Sequence, residues 1–463
     1  MPDAKPTGLR IRAYDVGFGD AFLLTFTYPK KAQAREQKRH VLIDFGSTGL
    51  PEGTPADQMV RVAQDIRTEC GGVNGKLHVV VATHRHKDHI SGFATDGDAT
   101  GKIISALKPE VVIQPWTEDP KVSRNATGLR PAAAARSSVA GQSQSAFVGQ
   151  LGDMHAVAAA VSAEVDHLND RRKFAQGLTP GLTEQLQFLS VDNNLPNASA
   201  VDNLAGMGKQ THYVNHGYKL DLQNVLPGVK VRVLGPPTIE QYANVKKERA
   251  SDKDEFWMLQ AAAAGFWGLQ ASTGELVHDF ILGKTRLFPQ AEFYKDSIPA
   301  HNRWFVRRVR STRGNQLLGI VRILDKAMNN TSVILLFEVG DKKFLFPGDA
   351  QIENWEYALS NQDDVEALRD VCLYKVGHHG SRNATPKTLW GLFQNKKDAT
   401  EAGGPGRLSS IVSTMADKHG HEASNTEVPR KTLVSALKKY SNYNTTQTAA
   451  KEGKLYVDLT IPL

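Results

Sequence analysis

The apolar positions of this chain fall in short runs, and their period changes along its length. Near the start, "LRIRAYDVGFGDAFLLTFTY" holds two β-rich runs around Gly17 and Gly19, and "HVLIDFG" and "LHVVVATH" read as short buried strands. Between these, "ADQMVRVAQDIRTEC" spaces its apolar positions for a helix. The order β, β, β, α, β is that of a layered α/β domain. After "VVIQPW" the chain turns rich in Ala, Ser, Gly, Asn and Gln, with an Ala-rich helix at "MHAVAAAVSAEVDHL" and few strand signals. A second polar block runs from about Thr238 to Met328, with "DEFWMLQAAAAGFWGLQ" its clearest helix. Strand signals return in "TSVILLFEVGDKKFLFPGDA", a hairpin turning at "VGDKK", and again in "VCLYKVG", "LSSIVST" and "KLYVDLTI". The pattern predicts one α/β domain over residues 1–463, interrupted by largely helical insertions at about 117–228 and 238–328.

Composition narrows the classes of function. No apolar run approaches the roughly 18 to 20 residues of a membrane helix, and "MPDAKPTGLRIRAYD" lacks the pattern of a signal peptide, so a cytoplasmic protein without a membrane partner is expected. Cys70 and Cys372 are the only cysteines, which excludes a disulfide framework and leaves metal binding to His, Asp and Asn. The net charge of +7 favours a polyanionic partner or substrate. Part of it is gathered in "HNRWFVRRVRSTR", where Arg303, Arg307, Arg308, Arg310 and Arg313 surround Trp304 and Phe305. That segment has two readings: phosphate contacts with aromatic stacking, or a solvated helix face with its aromatics in the core.

The densest chemistry lies in "VVVATHRHKDHISGF", where His84, His86, Asp88 and His89 fall within six positions after an apolar run. Imidazole with carboxylate suits Zn²⁺, Mn²⁺ or Fe²⁺. Just past a strand end alternate residues project the same way, so His84 and His86 can share one ion while Asp88 and His89, at the turn into a helix, face another. A His-rich surface turn would account for one or two of these residues, not for all four. In "FPGDA", Gly348 frees the backbone after a strand and sets the acceptor-only side chain of Asp349 at the strand's end; a plain turn Asp is the other reading.

"HRHKDH" resembles the HxHxDH signature of the metallo-β-lactamase superfamily. "YDVGFGDAFLL", "VLIDFGS", "NNTSVILL", "LFPGDA" and "YKVGHHGS" follow in the order of the hydrolase domain of ComEC-type competence proteins and their soluble relatives. The likeness covers roughly residues 9–116, 229–237 and 329 onward, and omits both insertions. It implies an αββα sandwich holding two divalent ions, Zn or Mn, with a metal-bridging hydroxide as nucleophile. His84, His86 and Asp349 would hold one ion, and Asp88, His89, His379 and Asp349 the other, with Asp88 and Asp349 central to catalysis. Of His378 and His379, the histidine directly before glycine is favoured as ligand. Asn329 stands where the wider superfamily has a further His, and a neutral amide there would weaken one site and favour harder metals such as Mn²⁺. Asp20 and Asp44 would accept from the ligating imidazoles, and His421 in "KHGHEAS" would be a general acid or a plain loop residue.

The function these features predict is hydrolysis of a phosphodiester, first of all in nucleic acid, with Arg307, Arg308 and Arg310 on the substrate. The alternatives are a small phosphodiester, cyclic nucleotide or lactone as substrate, and a metal-binding component of a multi-protein defence or toxin-like system that meets its protein partner through the insertions. The arginine reading is testable: with all three changed to Ser, nucleic-acid binding should lose nearly one unit of salt slope per lost phosphate contact, while turnover of bis-p-nitrophenyl phosphate holds. An unchanged slope would make the cluster a solvated face.

Overall fold

A computed structural model of the chain describes residues 5–29, 37–122, 198–242, 328–381, 385–398, 406–415, 418 and 427–463. Arg307, Arg308, Arg310, His421 and most of both expected insertions lie outside those residues.

The early runs form the strands β1 (Gly8–Tyr14), β2 (Ala21–Thr27), β3 (Lys38–Phe45), β4 (Val79–Val81) and β5 (Val111–Pro115). With β6 (Gln210–Val214) and the last strand, β13 (Tyr456–Pro462), they make a seven-stranded sheet in the order β13-β1-β2-β3-β4-β5-β6. Pairing is antiparallel from β13 to β3 and parallel from β3 to β6. A second, six-stranded sheet has the order β12-β11-β10-β9-β8-β7. Its strands are β7 (Lys230–Gly235), β8 (Ile334–Val339), β9 (Lys342–Phe346), β10 (Val371–Lys375), β11 (Ser409–Val412) and β12 (Asn442–Thr445). The antiparallel β8–β9 pair is the hairpin predicted at "VGDKK".

Period-2 alternation sends one set of side chains from each sheet inward. Leu9, Ile11, Phe22, Leu24, Val41 and Val79 from the first sheet meet Val231, Leu335, Phe337, Phe344 and Leu373 from the second. The opposite faces are also apolar and carry helices. On the first sheet, Leu23, Leu42, Val80 and Val112 pack with α1 (Gln58–Glu69), α3 (Thr100–Ser105) and α4 (Ala198–Gly206). On the second, Leu336, Leu345 and Tyr374 pack with α5 (Ile352–Ser360), α6 (Gln362–Arg369), α7 (Lys387–Leu392) and α8 (Lys431–Tyr440). The short helices α2 (Lys87–Ile90) and α9 (Thr446–Lys451) complete the described α-helices. The chain is therefore an α/β protein of two mixed sheets with helices outside both. Among the described residues no helix is long and apolar enough to cross a membrane.

One feature departs from the expected layout. Residues 198–228, expected within the first insertion, belong to the core: β6 extends the first sheet, and Val214, Leu220, Leu222 and Leu226 enter the inter-sheet cluster. An edge strand such as β6, "QTHYV", buries only one of its five residues fully, so its apolar signal is faint. The outer edge at β13 is fastened by Arg12, whose guanidinium bonds Asp65 at 2.8 Å and both oxygens of Asp458 at 2.9 Å while lying over the Tyr456 ring.

The loops after β1 and β3 reach the start of α2 only because they are glycine-rich. A Cβ on Gly46 would lie 2.4 Å from the Lys87 carbonyl oxygen and 2.5 Å from the His89 nitrogen, both main-chain atoms. Gly46→Ala should therefore destabilise the protein by about 1–3 kcal/mol through overpacking. Thermal or urea unfolding at wild-type values would show that this contact tolerates a methyl group.

Candidate metal centre

The all-buried run Val79–Val81 drives β4 into the sandwich, and the chain leaves it at the edge where strands of both sheets end. There Thr83 ties the segment to β3. Its N–H donates to Asp44 Oδ1 and its hydroxyl to Asp44 Oδ2, each at 2.7 Å. Asp44 holds a left-handed backbone, φ 55°, a strain typical of residues whose aim matters. Its Oδ2 also accepts from His89 Nδ1 at 2.8 Å. That bond fixes the His89 tautomer and turns Nε2 inward.

The second sheet brings the remaining groups. After β9, Gly348 (φ 56°) lets the chain turn so tightly that a Cβ there would meet the Thr83 side chain at 2.7 Å, and Asp349 follows it. Beyond β10, a 3-10 turn at His378–Gly380 holds both histidines in left-handed backbone. His379 Nδ1 donates to the Ser413 carbonyl at 3.0 Å, so its Nε2 also faces inward. It lies 2.8 Å from Asp88 Oδ2 and 3.7 Å from Asp349 Oδ2. His89 Nε2 lies 3.0 Å from Asp349 Oδ2 and 3.8 Å from Asp88 Oδ2. One ligand atom from each of Asp88, His89, Asp349 and His379 falls within 4.8 Å of the others, and all four residues are buried. Two imidazoles presenting Nε2 beside two carboxylates form a donor set that can hold a divalent metal ion.

Burial alone would lower the basicity of His89, but the carboxylates of Asp349, Asp44 and Asp88 outweigh it and hold His89 well above the ordinary imidazole range. His379 is raised in the same way, chiefly by Asp349 and its bond to Asp88. Burial pushes the carboxyls of Asp88 and Asp349 up, and the facing imidazoles, joined at Asp349 by Lys375, bring both below the usual carboxylate range. His84 is held low, first by burial and then by His89 and His86. Burial raises Asp44.

Of the two expected ligand sets, the structure gathers Asp88, His89, His379 and Asp349 into one group. His84 and His86 form an adjoining pair, with His84 Nε2 at 2.9 Å from His86 Nδ1 and the His84 ring centred 4.1 Å from that of His89. His378 stands apart from the ligand group. Its ring meets Ser381 Oγ at 2.9 Å, and its N–H donates to Asp349 Oδ1. Asn329, 1% exposed before β8, has a side-chain oxygen that meets no hydrogen-bond partner among the described residues. Asp20, like Asp44, lies beside His89, its Oδ2 3.7 Å from Nδ1. His212 and His216 sit elsewhere, on Tyr218 and Asp364. Sequence reasoning missed Lys375, a buried cation paired with Asp20 and 3.5 Å from Asp349. The one available signal was a lysine inside the apolar run "VCLYKVG".

In the metal-free protein, protons on His89 and His379 stabilise the fold fully below about pH 6.5, and that contribution is lost as pH rises through the raised values. His84, held low, acts in the opposite sense only below its ordinary value. A bound ion must replace the His89 and His379 protons, so affinity strengthens over the window in which the metal-free fold weakens. Chelator-treated protein should lose Tm as pH rises above about 6.5 while its Zn²⁺ or Mn²⁺ affinity rises. A flat affinity across that window would mean these imidazoles are not ligands.

No protein-family model matches the chain, and no curated protein matches it.

Proposed function

We propose that the protein is a metal-dependent hydrolase of the metallo-β-lactamase fold, acting on phosphodiesters and first of all on nucleic acid. The observation that carries this reading is the convergence of Asp88, His89, Asp349 and His379 at one edge of the two sheets, with both imidazoles locked so that Nε2 faces the carboxylates. The layering of helices, sheet, sheet and helices supports an αββα sandwich. So does the position of the ligands, all in segments that follow strands.

Asp88, His89, His379 and Asp349 would hold one divalent ion, and His84 and His86, with Asp349, a second; Asn329 would join the latter. Such ions supply the charge that activates water and stabilises the oxygens of an attacked ester. The donor set fits them electrostatically. Once the His89 and His379 protons are displaced, the four buried carboxylates of Asp20, Asp44, Asp88 and Asp349 are left with one buried ammonium, Lys375, an excess of negative charge that divalent cations offset. Zn²⁺ and Mn²⁺ both suit imidazole with carboxylate and amide oxygen. The residues of the chain have separate duties: Asp44 and the Ser413 carbonyl orient imidazoles, and the apolar sheets keep bulk water from the ligands. The net charge of +7 favours a polyanionic ester over a neutral lactone.

The test is metal analysis of protein purified without chelator, followed by assays on plasmid DNA, single-stranded DNA, RNA and bis-p-nitrophenyl phosphate with and without added Mn²⁺ or Zn²⁺. Asp88→Ala should keep the fold and lose more than about a hundredfold in turnover, since even residues that only orient a ligand contribute 10- to 100-fold. Fewer than one ion per chain after loading, or near-wild-type turnover in the variant, would refute the proposal.

A further inference from the structure

Lys375 belongs to none of the ligand sets above, yet its side chain is 2% exposed at the end of β10 and points into the centre. An ammonium has three N–H groups and nothing to accept with. Here it meets three oxygens: it pairs with Asp20 Oδ2, donates to the Gly348 carbonyl at 3.2 Å, and lies 3.5 Å from Asp349 Oδ1. The same Asp349 Oδ1 accepts the His378 N–H at 2.9 Å, and the Asp349 N–H donates to Ser332 Oγ at 3.3 Å. Protein groups thus occupy one oxygen of Asp349, while the other, Oδ2, faces His89 and His379.

We propose that Lys375 is a positioning residue, whose ammonium clamps the Gly348–Asp349 turn so that Asp349 turns Oδ2 alone toward the bound metal. This rests on the metal-centre reading above. The plainer alternative is that Lys375 only balances the Asp20 charge. The two differ in sign. A cation beside an ion site repels a dication, so removing a mere counter-charge strengthens metal binding. Removing a clamp releases the Asp349 carboxylate and weakens it.

Lys375→Met alone would leave Asp20 buried without its ammonium partner and threaten the fold, so the comparison is made with Asp20 neutralised in both proteins. Full-length Asp20→Asn and Asp20→Asn/Lys375→Met proteins, stripped with chelator and checked by circular dichroism, are titrated with Mn²⁺ by calorimetry. The double variant should bind at least about tenfold more weakly than Asp20→Asn, the range seen when an orienting partner of a ligand is lost. If the methionine variant does not fold, Asp20→Asn/Lys375→Leu, which likewise offers no donor to the Gly348 carbonyl, is used with the same sign expected. Equal or tighter binding overturns the positioning role while leaving the metal centre standing. A wild-type protein that binds neither Mn²⁺ nor Zn²⁺ overturns the centre itself, and the clamp with it.

Discussion

Burial of unlike charges at the end of an apolar sandwich is the constraint on which the rest of this structure depends. Asp20, Asp44, Asp349 and Lys375 are each at most 2% exposed, and Asp88 is 8% exposed. Charges withdrawn from water are costly unless each finds a partner. The loops that deliver them are accordingly bonded more closely than surface loops are. Thr83 spends both of its donors on Asp44, the His378 main chain is spent on Asp349, and the Ser413 carbonyl on His379. The left-handed backbones of Asp44, His378 and His379 are strain that such a network can hold.

Sequence made part of this legible, and the reasons are local. "HRHKDH" stood out because four donors follow directly on an apolar strand, and Asp349 because Gly348 announces a tight turn after another. The choice between His378 and His379 depended on backbone angles that no spacing encodes: both residues are left-handed, and the turn buries one ring in the centre and ties the other to Ser381. Lys375 was hidden for a different reason. Its neighbours read as a buried strand, in which a lysine looks like a lapse in the pattern, and its partner Asp20 lies in a loop of the far sheet, between β1 and β2. Thr83 gave no signal at all, since a threonine ending a strand is ordinary. Among the elements, β6 was lost because an edge strand buries too little to show alternation.

The two sheets contribute unequally. The first supplies His84, His86, Asp88 and His89 in one continuous stretch, together with the acceptors that orient them. The second supplies Asp349 and His379 from two separate turns, with Lys375 between. The relative placement of the sheets, set by the packing of Phe22, Phe26, Phe337 and Phe346 in the core between them, thereby sets the distance between the two halves of the ligand group. A change in that packing would be felt at the centre without touching a ligand.

The pairing of β1 with β13 has a consequence for how the molecule is made. Gly8 stands opposite Pro462, and Arg12 clasps Asp458 across 446 residues of chain. On the ribosome, β1 emerges long before β13 and keeps an open, hydrogen-bonding edge until that strand has been translated. The first sheet is thus completed only once β13 has emerged. Until then that edge must be kept from foreign strands, so β1 is the place where a chaperone would have most to protect.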